Sequence, residues 1–162
     1  MTPLLNVEQA MDILRTTVPK LKALVDGVPN DHLYGVTEYG WSVNEQLAHL
    51  RASHDVLGGN MLRIAREDHP AWKGAPGWRN QATYSELPFE ENLAAFETQR
   101  AELLAVYEPM PLAAFERTAT VTAPPNKVYE NCALYYADWM ARHERSHLRH
   151  IGRVLKDLAE AG

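Results

Sequence analysis

Apolar residues recur every three or four positions in four separate stretches of the chain, and this spacing predicts four amphipathic α-helices. The predicted helices run from about Val7 to Val25, from Ser42 to about Glu67, from near Pro88 to Pro109, and from about Val128 to Ala159. Asn6 is a suitable N-cap for the first helix. The second opens with Ser42-Val-Asn-Glu45, which has the spacing of a capping box. The pattern therefore predicts an all-α fold, a four-helix bundle.

Two of the connections between these helices are longer than the few residues that usually join helices in a bundle. They span residues 69–85 and 109–126, and the second contains the short β-prone run Thr118-Ala-Thr-Val-Thr. Long loops often carry functional residues, so Trp72, Trp78 and Arg79 of the first are candidates for a substrate pocket. The alternative is that these tryptophans simply extend the core over the end of the bundle.

Length and composition indicate one globular domain over residues 1–162 and exclude several partners. Hydrophobic residues make up 46% and charged residues 23% of the chain, as in ordinary globular proteins. A net charge of −5 offers no broad basic surface for nucleic acid. No apolar run approaches the roughly 20 residues of a membrane span. The single cysteine, Cys132, excludes an intramolecular disulfide and predicts a reducing compartment, by default the cytoplasm.

Three histidines on the fourth predicted helix suggest a metal site. Successive residues of a helix are about 100° apart, so His143 and His147 lie about 40° apart and can point at one ion. His150 falls within about 20° of His143 on the same wheel, among apolar residues such as Met140 and Ile151. Imidazoles on a buried face need partners. A metal ion or ordinary hydrogen bonds would both satisfy them.

The second predicted helix supplies a further candidate ligand, His49. It shares a face with Ser53 and Asn60, so polar groups intrude here on a face that should be buried. His54 lies about 140° around the helix from His49, and we expect it to be exposed. A catalytic metal of the zinc type typically has three protein ligands and leaves a fourth position open.

Two motifs resemble those of the DinB-like (DinB/YfiT-like) family of four-helix-bundle metal-dependent enzymes. They are Trp41-Ser-Val-Asn-Glu-Gln-Leu-Ala-His49-Leu and His143-Glu-Arg-Ser-His147-Leu-Arg-His150-Ile, and the resemblance covers nearly the whole chain. It implies a divalent metal in the bundle core with His49, His143 and His147 as ligands. Many relatives have glutamine at the position of His150. That histidine could support the ligands by a hydrogen bond, replace one of them or belong to the core, and we favour the first.

The chemistry of the ligand set narrows the choice of metal. Neutral imidazoles suit zinc, nickel or iron, whereas calcium and magnesium prefer oxygen ligands. Each ligating ring usually donates its other N–H to a nearby acceptor, and Glu45, one turn before His49, is one candidate. The capping-box spacing alone explains a glutamate at this position, and we favour that capping role for Glu45.

The resemblance implies a thiol-dependent, S-transferase-like enzyme that acts on a small-molecule substrate with a low-molecular-weight thiol as cosubstrate, and relatives often form homodimers. One alternative is a metal-dependent hydrolase, in which the ion activates water. The chain lacks an obvious base for that reaction, because Glu144 sits about 100° around the helix from His143. Another is a stress-associated metal- or ligand-binding module without enzymatic activity. The sequence leaves open whether the chain is an enzyme.

Overall fold

The computed structural model describes residues 2–74 and 79–162. The helices of these ranges are α1 (Val7–Val25), α2 (Asn30–Tyr34), α3 (Val43–Arg66), α4 (Gln81–Ser85), α5 (Phe89–Tyr107) and α6 (Ala133–Ala161). The strands are β1 (Ala71–Lys73), β2 (Thr118–Ala123) and β3 (Lys127–Cys132), and a 3-10 helix spans Leu112–Glu116. None of the described helices is both long and apolar enough to cross a membrane.

The four long helices α1, α3, α5 and α6 form the predicted bundle. Helix α3 packs between α5 and α6, and α1 packs mainly against α6. The side chain of Asn6 accepts a hydrogen bond from the backbone N–H of Gln9, and Ser42 accepts one from Glu45. Both sites are complete capping boxes, which is why α1 and α3 begin where the sequence predicted.

The all-α prediction was wrong about the segment before α6. Residues Lys127–Cys132 form β3, antiparallel to β2, while β1 is parallel to β2 on its other side. The fourth helix therefore begins at Ala133 and not near Val128. Only the β-prone run in β2 was visible in the sequence, because strand formation depends on partners that are distant along the chain.

The hydrophobic core has two parts, separated along the bundle by a buried ion pair. Leu103 belongs to the part near the sheet, and Phe96 belongs to the part near α2. Arg100 lies between them on α5. Its Nη1 and Nη2 atoms donate to the carboxylate oxygens of Glu144 at 2.8 and 2.5 Å, and Nη1 also donates to the Leu14 carbonyl at 2.8 Å. One guanidinium thus links α1, α5 and α6.

His54 is buried, contrary to the expectation that it is exposed. Only 4% of the residue is accessible, and its ring packs edge-on against Phe96 of α5 at 6.0 Å between centroids. Helix α3 lies between two neighbours, so a residue 140° from the α6 side faces α5. Burial, followed by the nearby charge of Arg100, lowers the pKa of His54 to about 3. The ring is therefore neutral at pH 7 and is not directed at the other histidines.

The buried ion pair yields a stability prediction. Glu144→Ala leaves the Arg100 guanidinium without its carboxylate, and we expect the free energy of unfolding to fall by about 3–5 kcal/mol in denaturant titrations. The double variant Arg100→Met, Glu144→Leu should recover most of that loss, since it removes both charges. A Glu144→Ala protein within about 1 kcal/mol of wild type would contradict this account.

Two adjacent glycines of α3 provide a matched test of the His54 position. A Cβ atom at Gly58 would lie 2.5 Å from the His54 ring, whereas one at Gly59 would meet nothing within 4 Å. We expect Gly59→Ala to stabilise the protein by about 0.5–1 kcal/mol, because alanine favours helix. Gly58→Ala should destabilise the protein despite the same gain in helix propensity, because the new methyl group would clash with the His54 ring. Thermal and denaturant unfolding would measure both, and equal effects would show that His54 is not packed there.

Candidate metal centre

Helices α3 and α6 bring three histidines together inside the bundle. His49 Nε2 lies 2.9 Å from His143 Nε2, and His147 Nε2 lies 3.1 Å from the same atom. One nitrogen from each ring lies within 4.8 Å of the other two, an arrangement that could hold a metal ion. His49 and His147 are each only 7% exposed. The three residues predicted as ligands are therefore adjacent in the fold.

The opposite nitrogens of two of these rings face glutamine side chains. His49 Nδ1 lies 2.8 Å from Gln81 Oε1, and His147 Nδ1 lies 3.2 Å from Gln46 Oε1. An amide oxygen only accepts hydrogen bonds, so each Nδ1 carries the hydrogen and each Nε2 presents a lone pair. Both lone pairs point at His143 Nε2. One cation at this position could bind all three nitrogens.

Burial keeps these rings in the form that binds metals. It lowers the pKa of His143 to about 4, with His49 nearby contributing further. Burial and the neighbouring histidines lower the pKa of His147 to about 3. Both imidazoles are neutral at pH 7. An ion about 2.0–2.1 Å from each nitrogen in tetrahedral geometry would separate two nitrogens by about 3.3 Å. Two of the nitrogen–nitrogen distances are close to this value, and all three nitrogens lie within 4.8 Å of one another. The neutral donor set suits such an ion once the rings adjust their spacing.

Gln81 owes its position to a small polar network between α4 and α3. Asp55 of α3 accepts hydrogen bonds from Tyr84 Oη at 2.7 Å and from Asn80 Nδ2 at 3.1 Å. These contacts hold α4 against α3, six residues beyond His49. The sequence analysis missed both glutamines. Gln46 could have been found three residues before His49 on the same helix, but nothing in the sequence indicates that Gln81 reaches the site.

Glu45 and His150 occupy positions at the edge of the cluster. The Glu45 carboxylate accepts a hydrogen bond from the Ser42 backbone N–H at 2.8 Å, as the capping box requires. The His49 nitrogen that we expected it to bind meets Gln81 instead. His150 Nδ1 lies 2.6 Å from Tyr39 Oη, and its ring centroid is 6.0 Å from that of His147. Direct support of a ligand by His150 stays a prediction.

Aromatic side chains of the described residues pack against the histidines, and a cavity reaches the cluster beside them. The Trp41 ring lies 5.1 Å from His49 and stacks on His147 at 6.1 Å, and the Trp139 ring lies 4.6 Å from His143, measured between centroids. A cavity of about 350 Å³, lined by Tyr39, Trp41, His49 and His147, reaches the cluster. A small molecule can therefore approach two of the three rings.

Two of the three predicted substrate-pocket residues line a different cavity. Trp72 and Arg79 line a groove of about 590 Å³ between α3, α6 and the sheet. Trp72 also packs against Tyr136 at 6.3 Å between ring centroids, so it contributes to the core as well as to the groove. Trp78 lies outside the described residues. Trp139 lines the groove and contacts His143, which places its ring between the two cavities.

The sequence comparison decides the family. The family model described as the DinB superfamily matches residues 13–151. The chain belongs to the DinB superfamily. Among curated proteins, none matches this DinB-superfamily chain.

Two solved structures share the fold of this DinB-superfamily chain. The first is YfiT from Bacillus subtilis, described as a probable metal-dependent hydrolase with an unusual four-helix bundle topology; it matches at 17% identity with a TM-score of 0.73, covering 98% of this chain and 94% of YfiT. The second is a mycothiol-dependent maleylpyruvate isomerase, which matches at 18% identity with a TM-score of 0.69 over 94% of this chain and 64% of the isomerase. At these identities the likeness shows the fold alone.

Proposed function

We propose that His49, His143 and His147 bind one divalent transition metal through their Nε2 atoms, and that the chain is a thiol-dependent, S-transferase-like enzyme. The observation that carries the proposal is the pair of Nδ1 contacts to Gln46 and Gln81. With each Nδ1 donating to an amide oxygen, the Nε2 lone pairs of His49 and His147 lie beside His143 Nε2, where one cation could bind all three nitrogens. Zinc, nickel and iron all suit three neutral imidazoles.

Three protein ligands would leave a fourth position open on the ion, and the cavity beside Trp41 reaches His49 and His147, two of the residues that would hold it. A metal ion bound here would hold a low-molecular-weight thiol as its thiolate at neutral pH, ready to attack an electrophilic small molecule. The residues of the chain would orient this chemistry. Gln46 and Gln81 fix the tautomers of two ligands, and Trp41 and Trp139 exclude water and restrict the rings.

The surroundings of the cluster favour a thiol reaction over hydrolysis. Within the described residues, the group of potential ligands contains histidines and no carboxylate that could act as a general base. Glu144, next to His143 in sequence, forms the buried ion pair with Arg100. Glu45 caps its own helix. A hydrolase would need a base from elsewhere, so it is the second candidate, supported by the description of YfiT.

A non-enzymatic metal- or ligand-binding module is the third candidate. A purely structural ion is normally enclosed by four protein ligands. The cavity that reaches His49 and His147 is more consistent with an exchangeable position. A homodimer, a cytoplasmic location and a role in stress remain predictions from the sequence.

Metal content tests the ligand assignment. Protein purified without a histidine tag and reconstituted with zinc, nickel or iron should hold about one ion per chain, measured by inductively coupled plasma mass spectrometry. His49→Ala and His147→Ala should hold none, because two ligands retain an ion poorly. Gln81→Leu should lower metal affinity about 10–100-fold by releasing the His49 ring.

His69→Ala is the matched control, since His69 is exposed and bonds to Thr118 and Thr120 of the sheet. It should retain the ion. Full occupancy in His147→Ala, or loss of the ion in His69→Ala, would refute the assigned ligand set.

Reaction assays separate the candidate activities. We expect the metal-loaded protein to accelerate transfer of a thiol such as glutathione, bacillithiol or mycothiol to a chloronitrobenzene. The C–S bond forms as chloride leaves and the thiol loses its proton to solvent. Metal-free protein and His147→Ala should match the uncatalysed rate. Cleavage of nitrophenyl esters without thiol, together with background conjugation, would favour the hydrolase. Inactivity in both assays with one bound ion would favour the binding module.

A further inference from the structure

The groove between α3, α6 and the sheet, hereafter the α3–α6 groove, has the dimensions of a binding site. Its lining on α3 extends from Asp55 to Arg63, about 12 Å along the helix axis. The volume of about 590 Å³ lies within the range of about 300–1,000 Å³ that is typical of small-molecule sites. One end reaches Trp139, whose ring contacts His143. The groove therefore ends one side chain away from the histidine cluster.

The charges around the α3–α6 groove do not cancel. Among the lining residues, Arg63 is held by Glu67 through two hydrogen bonds of 2.8 and 3.1 Å. Asp55 contributes one negative charge to the lining, and its carboxylate accepts hydrogen bonds from the uncharged side chains of Tyr84, Asn80 and Gln99. Lys73 and Arg79 form no ion pair with any residue of ranges 2–74 and 79–162. These two cations remain for a ligand.

Aromatic side chains contribute to the lining of the groove, and Gly59 leaves open space on α3. The Arg63 guanidinium lies 4.9 Å above the Trp72 ring and the Tyr136 ring lies 6.3 Å from it, so Trp72 is a supported platform. Trp139 stands on the α6 side. On α3, Gly59 lines the groove, and a Cβ there would meet nothing within 4 Å. Flat apolar groups can therefore contact the walls while an anion meets the cations.

We propose that the α3–α6 groove binds the anionic portion of an elongated organic ligand, with Lys73 and Arg79 selecting a carboxylate or a comparable anion and with Trp72 and Trp139 contacting its apolar portion. The identification of this ligand as a substrate or cosubstrate rests on the proposed function. The ligand would be a substrate or cosubstrate of the proposed reaction, bound next to Trp139, whose ring contacts His143. The anion binding itself requires no metal.

Two fluorescent probes that differ by a single charge test this assignment. 8-Anilinonaphthalene-1-sulfonate carries a sulfonate, and N-phenyl-1-naphthylamine has the same rings without it. Lys73→Gln combined with Arg79→Gln should weaken binding of the sulfonate about tenfold and should leave the neutral probe within about twofold. Gly59→Leu should remove both probes from the groove without loss of stability, because the side chain fills open space on a helix.

The matched control removes two cations from another cavity. Lys20 and Arg149 line a surface cavity of about 470 Å³ between α1 and α6, and the variant Lys20→Gln, Arg149→Gln should bind both probes as wild type does. If Lys73→Gln combined with Arg79→Gln weakened binding of both probes equally, the groove would not select anions and the proposal would be wrong. Loss of sulfonate binding only in the Lys20, Arg149 variant would place the anion site elsewhere and also overturn it.

Running the titrations on wild type and on His147→Ala separates this proposal from the metal assignment. Unchanged probe binding in His147→Ala is the expected result, whatever its metal content. If the protein binds no ion but still prefers the sulfonate probe, the proposed thiolate chemistry is wrong and the anion-binding proposal stands. One bound ion per chain, together with probe binding that does not depend on Lys73 and Arg79, would keep the metal assignment and overturn the anion groove.

Discussion

The rotational position of α6 is the constraint on which the site depends, and a buried ion pair fixes it. Arg100 binds the Glu144 carboxylate with two hydrogen bonds in the interior, where neither charge can turn toward water. Successive helical residues are about 100° apart. When Glu144 faces α5, His143 and His147 consequently face α3. The pair that separates the two parts of the core thus also aligns two of the three histidines with His49.

Alignment of the helices does not determine which nitrogen of each imidazole carries the hydrogen. For His49 and His147, the glutamine side chains determine it. Gln46 comes from α3 itself, so its position relative to His147 follows from the packing of α3 on α6. Gln81 comes from α4, which Asp55 holds through Asn80 and Tyr84. Uncharged amide partners leave the rings neutral without adding a buried charge. The resulting cluster contains three neutral donors, which suits a borderline-soft cation.

The sequence was most informative where structure is local. Helical periodicity, the Asn6 N-cap and the Ser42–Glu45 capping box located α1, α3 and α5, and the four-residue spacing of His143 and His147 placed both on one face. It was least informative where structure depends on distant partners. β3 forms only because β2 lies beside it, and His54 is buried only because α3 has neighbours on two sides. Gln81 reaches His49 through a connection whose path the helical pattern does not specify.

One connection joins the two cavities of the molecule. Arg79 lines the α3–α6 groove, Gln81 contacts His49, and Asn80 between them bonds to Asp55 of α3. Residues so close in sequence cannot move independently, particularly where one anchors the N-terminal end of a short helix. A displacement of Arg79 by an anion would be transmitted to Gln81 unless the Asp55 contacts absorb it. Asn80 and Tyr84, which hold α4 against Asp55, therefore lie between an anion in the groove and the contact of Gln81 with His49.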